Sequence, residues 1–326
     1  AIAEALEERS CDVLIAHSTR AIDVKMIVKT PFASTTLPAK PLSLLPQRFI
    51  AFCIGFVRSV SETKKLIRTN DIACVVATGG FVAAPALFAA RTLRVPTTLL
   101  NFDKPAGKAN SLARRWADTV LSTVEWNNAN AKRVPPPLRL CTIASGDQRT
   151  NKLELGLDPN KMTLLVTGAS QGAGTINSLI PKLTKVAPQS FMNWQILHLA
   201  GPDKSDEVER AYQESSVSHV VLSFTNEMGK VWGAADLAIT RGGANTIAEL
   251  AMNAVPAVVL PYPFHKDNHQ TTNAISLVQI GGVIIEKDYT QPQMNLAHAG
   301  STICKLLKDH QQRFAMRQAL ASLLPE

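Results

Sequence analysis

Cysteine is scarce in this 326-residue chain: there are five, Cys11, Cys53, Cys74, Cys141 and Cys304, an odd number with no C-x-x-C pair. That excludes a disulfide scaffold and leaves no metal-ligand or redox spacing. A reduced, cytoplasmic setting is expected. Long apolar runs are missing as well. The best of them, Phe49 to Val57, falls far short of the about twenty residues needed to span a bilayer, so no transmembrane helix is expected. No segment reads as a signal peptide. Charged residues make up only 18% against 46% apolar, which excludes a disordered chain, and glycine is too sparse for a collagen-like repeat. The length suits two domains of ordinary size, each with its own core.

What charge there is lies unevenly. Residues 1–150 carry 20 Lys and Arg against 11 Asp and Glu, whereas residues 151–326 carry 14 against 15. Nucleic acid, an anionic membrane, a phosphorylated ligand and a plain solvated surface each fit this bias. Aromatic and basic residues do not interleave, so no nucleic-acid partner is expected. The run FIAFCIGFV lies between Arg48 and Arg58, with Lys64, Lys65 and Arg68 following. It suits a helix resting on an anionic bilayer surface, and equally a buried helix with basic ends.

Apolar runs alternate with helical patterns along the whole chain. CDVLIAH, ACVVATGG, PTTLLNF, TVLSTVE, MTLLVTG, FMNWQILHLAG, HVVLSF, LAIT, AVVLPYP and GGVIIEK read as strands. Residues 83–93, 107–117, 173–186, 245–254 and 268–280 read as helices. The alternation predicts an α/β chain of two doubly wound, Rossmann-like parallel-sheet domains facing a cleft. VPPPLRL at 134–140 interrupts the rhythm where the charge changes. The domains are therefore placed at 1–142 and 160–310, with a linker at 143–159 and a C-terminal helix at 311–326 packing back on the first domain. The chain opens inside an amphipathic helix, AIAEALEER, that runs into a strand. A doubly wound domain starts with a strand and a ligand-binding turn, so the first strand and loop are expected to be missing.

Four turns carry candidate chemistry. Thr167 to Gly174 ends a strand and begins a helix; its small residues and free amides suit a phosphate or pyrophosphate, without the spacing of a dinucleotide fingerprint or a Walker loop. The same residues fit G-x-S-x-G, making Ser170 a candidate nucleophile with Asp236 or Asp267 and His265, His269 or His298. A bare packing turn is the third reading. Arg241 to Thr246 begins the helix bearing Glu249: Arg241 and the helix amides suit a diphosphate, and the carboxylate suits ribose hydroxyls or simply complements the helix dipole. Pro261 to Gln270, with Asn273, places hydrogen-bonding side chains at a third helix entrance, where a sugar's hydroxyls can be read. His265 and His269 lack the glutamate and third ligand of a zinc site, so no metal is expected. Gly79 and Gly80 begin a helix in the first half, either as a phosphate turn or as a plain connection.

Taken in chain order, these segments resemble the MurG family, the peptidoglycan GlcNAc transferases of the GT-B fold. Gly168 to Ala173 resembles its G-G-S-Q-G-A loop, Arg241 to Glu249 its R-S-G-A-x-T-x-x-E segment, and His265 to Ala274 its H-K-D-x-Q-Q-x-x-N-A. Gly79 to Pro85 resembles its G-G-Y-V-S-G-P. The resemblance implies a metal-independent, inverting hexosyltransferase with UDP-GlcNAc as donor, no further cofactor, and a membrane-bound lipid pyrophosphate as acceptor. That is the lipid I to lipid II step of peptidoglycan synthesis, carried out peripherally at the cytoplasmic face of the bacterial inner membrane. It further implies the backbone near Phe224 and Thr225 at the uracil; Ser170, Ala244, Asn245 and Thr246 at the diphosphate; and Glu249 at the ribose. Gln270 and Asn273 fall at the sugar, Asp103, Arg149, Gln171, Gly172, Arg241 and His269 among the other substrate contacts, and Gly79 and Gly80 at the acceptor's phosphate. Asp103 stands where the family has Asn, and His269 where it has Gln. The family's G-T-G-G-H loop, which carries its proposed general base, is absent, leaving His17 and Asp103 as candidate bases. A serine hydrolase, a UDP-sugar epimerase and a non-catalytic nucleotide-sugar-binding chain are the alternatives.

Overall fold

Every apolar run read as a strand pairs in a sheet, and every pairing is parallel. The computed structural model describes the chain except residues 29, 43–44, 103–106, 125, 127–129, 169–172, 265–267 and 325–326. It divides into two units, Ala1–Pro137 and Leu138–Glu326.

The first unit holds helices α1 (Ile2–Glu7), α2 (Ala21–Ile27), α3 (Pro46–Thr69), α4 (Ala83–Thr92) and α5 (Lys108–Ala113). Its strands are β1 (Leu14–Ser18), β2 (Ala33–Leu37), β3 (Val75–Ala77), β4 (Thr97–Asn101), β5 (Thr119–Ser122) and β6 (Ala131–Arg133). β1 pairs with β2, and β3 to β6 form a four-stranded sheet in sequence order. The two strands that the sequence pattern does not announce, β2 and β6, are polar edge strands, which need no alternating apolar face. α3 starts with Pro46 in its first turn, where the missing N–H costs nothing. Its buried stripe is Gly55, Ser59, Thr63 and Ile67, four apart, three of them small or polar. The bulky Phe49, Ile50, Ile54 and Val57 are therefore left exposed.

The second unit begins with α6 (Gln148–Glu154) and continues β7 (Met162–Thr167), α7 (Gly174–Val186), β8 (Trp194–Leu199), α8 (Ser205–Tyr212) and β9 (His219–Leu222). Then come α9 (Met228–Ala234), β10 (Leu237–Thr240), α10 (Ala244–Met252), β11 (Ala257–Val259), α11 (His269–Gln279) and β12 (Val283–Ile285). α12 (Pro292–Asn295), α13 (Ser301–Lys308) and α14 (His310–Ala321) close it. The strands lie in the order β12-β11-β10-β7-β8-β9, the doubly wound pattern with its reversal between β7 and β10. Their near-continuous apolar sequence follows from burial on both faces. Leu164, Val166, Ile196 and Ile239 pack under α7 and α13, while the alternate residues Leu165, Leu197, Ala238 and Val259 pack under α9, α10 and α11. Each Val, Leu or Ile side chain among them contributes about 1.5–3 kcal/mol.

The segment expected as a linker at 143–159 is instead part of this unit. Asp147 caps α6 through the Thr150 amide, and α6 packs on α9. The buried Lys152 donates to Asp236 at 2.9 Å and to the Lys161 carbonyl, while Asn151 and the 141–143 backbone press against Gly233 and Gly229, where a Cβ would clash. α14, expected to pack back on the first domain, inserts Leu320 against Gly282 in the second unit's own core.

Candidate functional site

In an open parallel sheet, ligands bind beyond the carboxyl ends of the strands where the winding reverses, because adjacent loops there diverge to opposite faces. That point is defined by Thr167 of β7, which pairs with Thr240 of β10. The turns leaving these strands lead into α7 and α10. Ser170, Gln171 and Gly172 lie outside the described residues, but the helix they precede starts at Gly174. At α10, Gly243 is the capping residue, Ala244 and Asn245 are exposed, and no side chain among the described residues caps the first amides. These N–H groups carry the positive end of the helix dipole.

Three further elements reach the same sheet edge. Gly242 lies against the first turn of α11 so closely that a Cβ would sit 2.2 Å from the Gln270 carbonyl oxygen. Asn273 Nδ2 donates to the Gly242 carbonyl at 3.0 Å, and Gln270 Oε1 accepts from the Tyr262 amide at 2.8 Å. Each amide side chain is thereby oriented with its other end unpaired among the described residues: an NH2 donor on Gln270 and a carbonyl acceptor on Asn273. Glu249, half-buried on α10, accepts from Trp232 Nε1 at 3.0 Å. Burial pushes its carboxyl above the ordinary value, opposed by the Trp232 bond and the charge of Arg139. Beyond β9, Phe224 is exposed and Thr225 Oγ1 accepts from the Glu227 amide.

Two residues assigned to substrate from the sequence have protein partners in the structure. Arg241 was expected to neutralise a diphosphate; its side chain is 6% exposed and both terminal nitrogens make bonds within the unit. It pairs with Asp288 at 2.8 Å and bonds the Leu260 and Pro261 carbonyls and Thr175 Oγ1. Burial alone would raise the Asp288 carboxyl, but bonds from Thr175, Asn295, Thr290 and Arg241 hold it below its usual value. Arg149 bonds Asn160, which precedes β7, and so lies at the opposite end of the sheet from the loops. Asp236, offered as a partner for a nucleophilic Ser170, also lies at that opposite end. It immediately precedes β10 and is occupied by Lys152, Gln148 and the Thr163 amide. His298 stacks on Tyr289. Asp103, His265 and Asp267 lie outside the described residues, as does the side chain of His269.

In the first unit, Gly79 and Gly80 take φ of +104° and +76° before α4, a backbone region open to glycine. The buried Asn110 faces Gly79, and its Oδ1 has no partner among the described residues. A cavity of about 280 Å³ adjoins this turn, lined by Leu42, Phe52, Phe81 and Leu112. His17 Nδ1 lies 2.9 Å from the Ser18 carbonyl and, since a carbonyl only accepts, donates to it.

Residues 163–323 match the glycosyltransferase family 28 C-terminal domain, and residues 1–122 match its N-terminal domain. The chain belongs to glycosyltransferase family 28. A relative from Tropheryma whipplei (strain Twist), named UDP-N-acetylglucosamine–N-acetylmuramyl-(pentapeptide) pyrophosphoryl-undecaprenol N-acetylglucosamine transferase, is 31% identical over 298 residues. That match covers 89% of this chain and 82% of the relative. A Streptomyces coelicolor protein of the same name is 29% identical over 98% of this chain and 88% of its own length. The solved structure of Acinetobacter baumannii MurG superposes with a TM-score of 0.71 at 22% identity, covering 99% of this chain and 92% of that one. A structure described as a UDP-N-acetylglucosamine 2-epimerase from Listeria monocytogenes gives a TM-score of 0.58 at 12% identity, over 95% and 91% of the chains. At these identities the two structures show the shared GT-B architecture.

The second unit thus carries two helix starts at the reversal of its sheet, two oriented amides beside the α10 turn and a half-buried carboxylate on α10. Sequence reasoning did not find Trp232, Thr175 or Asp288. Trp232 reads as an ordinary core residue, and Asp288 lies 47 residues from Arg241 with no local pattern joining them. Arg20, whose guanidinium stands 4.7 Å over the Phe81 ring beside the Gly79-Gly80 turn, was also missed. A lone arginine at a strand end carries no motif.

Proposed function

We propose that this chain transfers GlcNAc from UDP-GlcNAc to the muramoyl-pentapeptide sugar of a polyprenyl pyrophosphate lipid, with inversion and without a metal. One observation carries the donor half of the reading: the α7 and α10 helix starts stand side by side at the reversal of the second unit's sheet. Anions bind at such amides. The diphosphate is held by Ser170, Gln171 and Gly172 at one helix start and Ala244, Asn245 and Thr246 at the other. Glu249 takes the ribose hydroxyls, Thr225 and the Phe224 backbone the uracil, and His269, Gln270 and Asn273 the sugar. The acceptor oxygen forms its bond to the anomeric carbon as the bond to the β-phosphate breaks. UDP departs with the electron pair, its charge stabilised by the helix amides, and a base takes the hydroxyl proton.

The acceptor half rests on the first unit. Its Gly79-Gly80 turn suits the lipid's pyrophosphate. The exposed apolar residues of α3, flanked by Arg48, Arg58, Lys64, Lys65 and Arg68, suit the surface of an anionic bilayer. No helix among the described residues is long and apolar enough to cross a membrane. Calorimetric titration with UDP-GlcNAc and UDP-glucose tests the donor assignment. Preference for the N-acetyl sugar is expected, with a loss of about 1–3 kcal/mol in Glu249→Ala, the scale of hydrogen bonds to a charged group. Unchanged affinity in that variant would remove Glu249 from the ribose.

A further inference from the structure

We propose that Asp288, Arg241 and Thr175 form a positioning clamp that fixes the spacing between the α7 and α10 helix starts and so sets their joint grip on the donor's diphosphate. The proposal rests on the donor-site reading above and adds to it three side chains that act through the backbone amides rather than on the ligand. Thr175 is the second residue of α7, and Arg241 immediately precedes the Gly242-Gly243 turn into α10. Their side chains meet. Thr175 Oγ1 donates to Asp288 Oδ2 at 2.5 Å and accepts from Arg241 Nη2 at 2.7 Å, while Arg241 Nη1 reaches Asp288 Oδ2 at 2.8 Å. The triangle is closed, and two of its corners are anchored elsewhere in the unit.

Arg241 Nη1 also bonds the Leu260 and Pro261 carbonyls just beyond β11. Asp288 Oδ1 accepts from the Thr290 amide at 2.8 Å and from Asn295 Nδ2 at 2.9 Å. Its side chain has no solvent exposure, so no water competes for these bonds. A buried ion pair of this kind adds little net stability over apolar packing, because desolvation offsets its attraction. What it fixes is geometry. The helix-end field is confined to the first turn and hydrogen bonds weaken steeply with misalignment, so a small shift of either helix start weakens a diphosphate held by both. A nucleoside without phosphates does not sense that spacing.

The test titrates the full chain with UDP and with uridine by ligand-observed NMR. It compares wild type, Asp288→Asn, Thr175→Val and Thr175→Ser. Asp288→Asn is expected to weaken UDP by about tenfold, in line with loss of a charge-assisted bond, and to leave uridine affinity unchanged. Thr175→Val keeps the ion pair and the side-chain shape; it is expected to weaken UDP selectively, with Thr175→Ser restoring it. Should Asp288→Asn fail to fold, the Thr175 pair decides alone. Wild-type UDP affinity in the variants, or a parallel fall for UDP and uridine, would overturn the clamp while leaving the donor site standing. A wild-type chain that binds uridine as tightly as UDP would overturn the diphosphate site itself and the clamp with it.

Discussion

Two adjacent glycines at the α10 entrance differ in what their backbone meets. A Cβ on Gly242 meets the Gln270 backbone, whereas one on Gly243 finds only Thr246 Oγ1 at 3.6 Å, an ordinary contact, and Gly243 has a φ that any residue adopts. Gly242→Ala is therefore expected to cost about 1–3 kcal/mol in denaturant unfolding, and Gly243→Ala close to nothing; equal effects would contradict this packing. His198 gives a pH signature. It is buried, bonded to the Tyr212 hydroxyl and Asn177 Oδ1, and burial, with the charge of His219, pushes its pKa down to about 3 from 6.5. Between those values the unfolded chain holds the extra proton. Stability is complete above pH 6.5 and falls by about 1.4 kcal/mol per unit as the pH drops toward 3. His198→Gln should flatten the slope measured by unfolding at pH 7, 6 and 5; an unchanged slope would assign the loss to other groups. Gly242 was legible in the sequence because close approach leaves only that residue type. Arg241 was legible as important, but its internal partners were not, since they come from three distant segments.

At the scale of elements, α3 shows why an apolar run does not announce its own burial. FIAFCIGFV suits a core or a surface equally until the opposite face is known, and that face turns out to be Gly55, Ser59, Thr63 and Ile67. Gly55 lies against the Pro38 carbonyl, which fixes the side of the helix turned inward. Replacing Ile54 and Val57 together by Glu is expected to leave the melting temperature unchanged. It should lower sedimentation with anionic vesicles by at least about tenfold, since burying one such side chain contributes about 1.5–3 kcal/mol. Unimpaired vesicle binding would contradict the surface role. The strands with apolar cores were readable because both sheet faces are covered, and β2 and β6 were not, because polar edge strands carry no such pattern.

At the scale of the whole molecule, the proline-rich run at 134–140 marked the division between units, but the unit starts at Leu138 rather than beyond the expected linker. α6 is fastened to the sheet by Lys152 and Asp236. A fragment starting at residue 138 is expected to fold, whereas one starting at 160 leaves Asp236 buried without its cation and should lose about 3–5 kcal/mol in chemical unfolding. Equal stability of the two fragments would make α6 dispensable. The strand order was legible only as a class, because alternation predicts parallel pairing without saying where the winding reverses. That reversal is what brings the turns after β7 and β10 together. Hydrogen–deuterium exchange of the full chain with and without UDP-GlcNAc addresses this arrangement directly. Protection is expected in the peptides covering residues 168–176 and 241–249, with a smaller effect over 262–273. Protection confined to the first unit, or absent from either helix start, would contradict a donor site at the reversal.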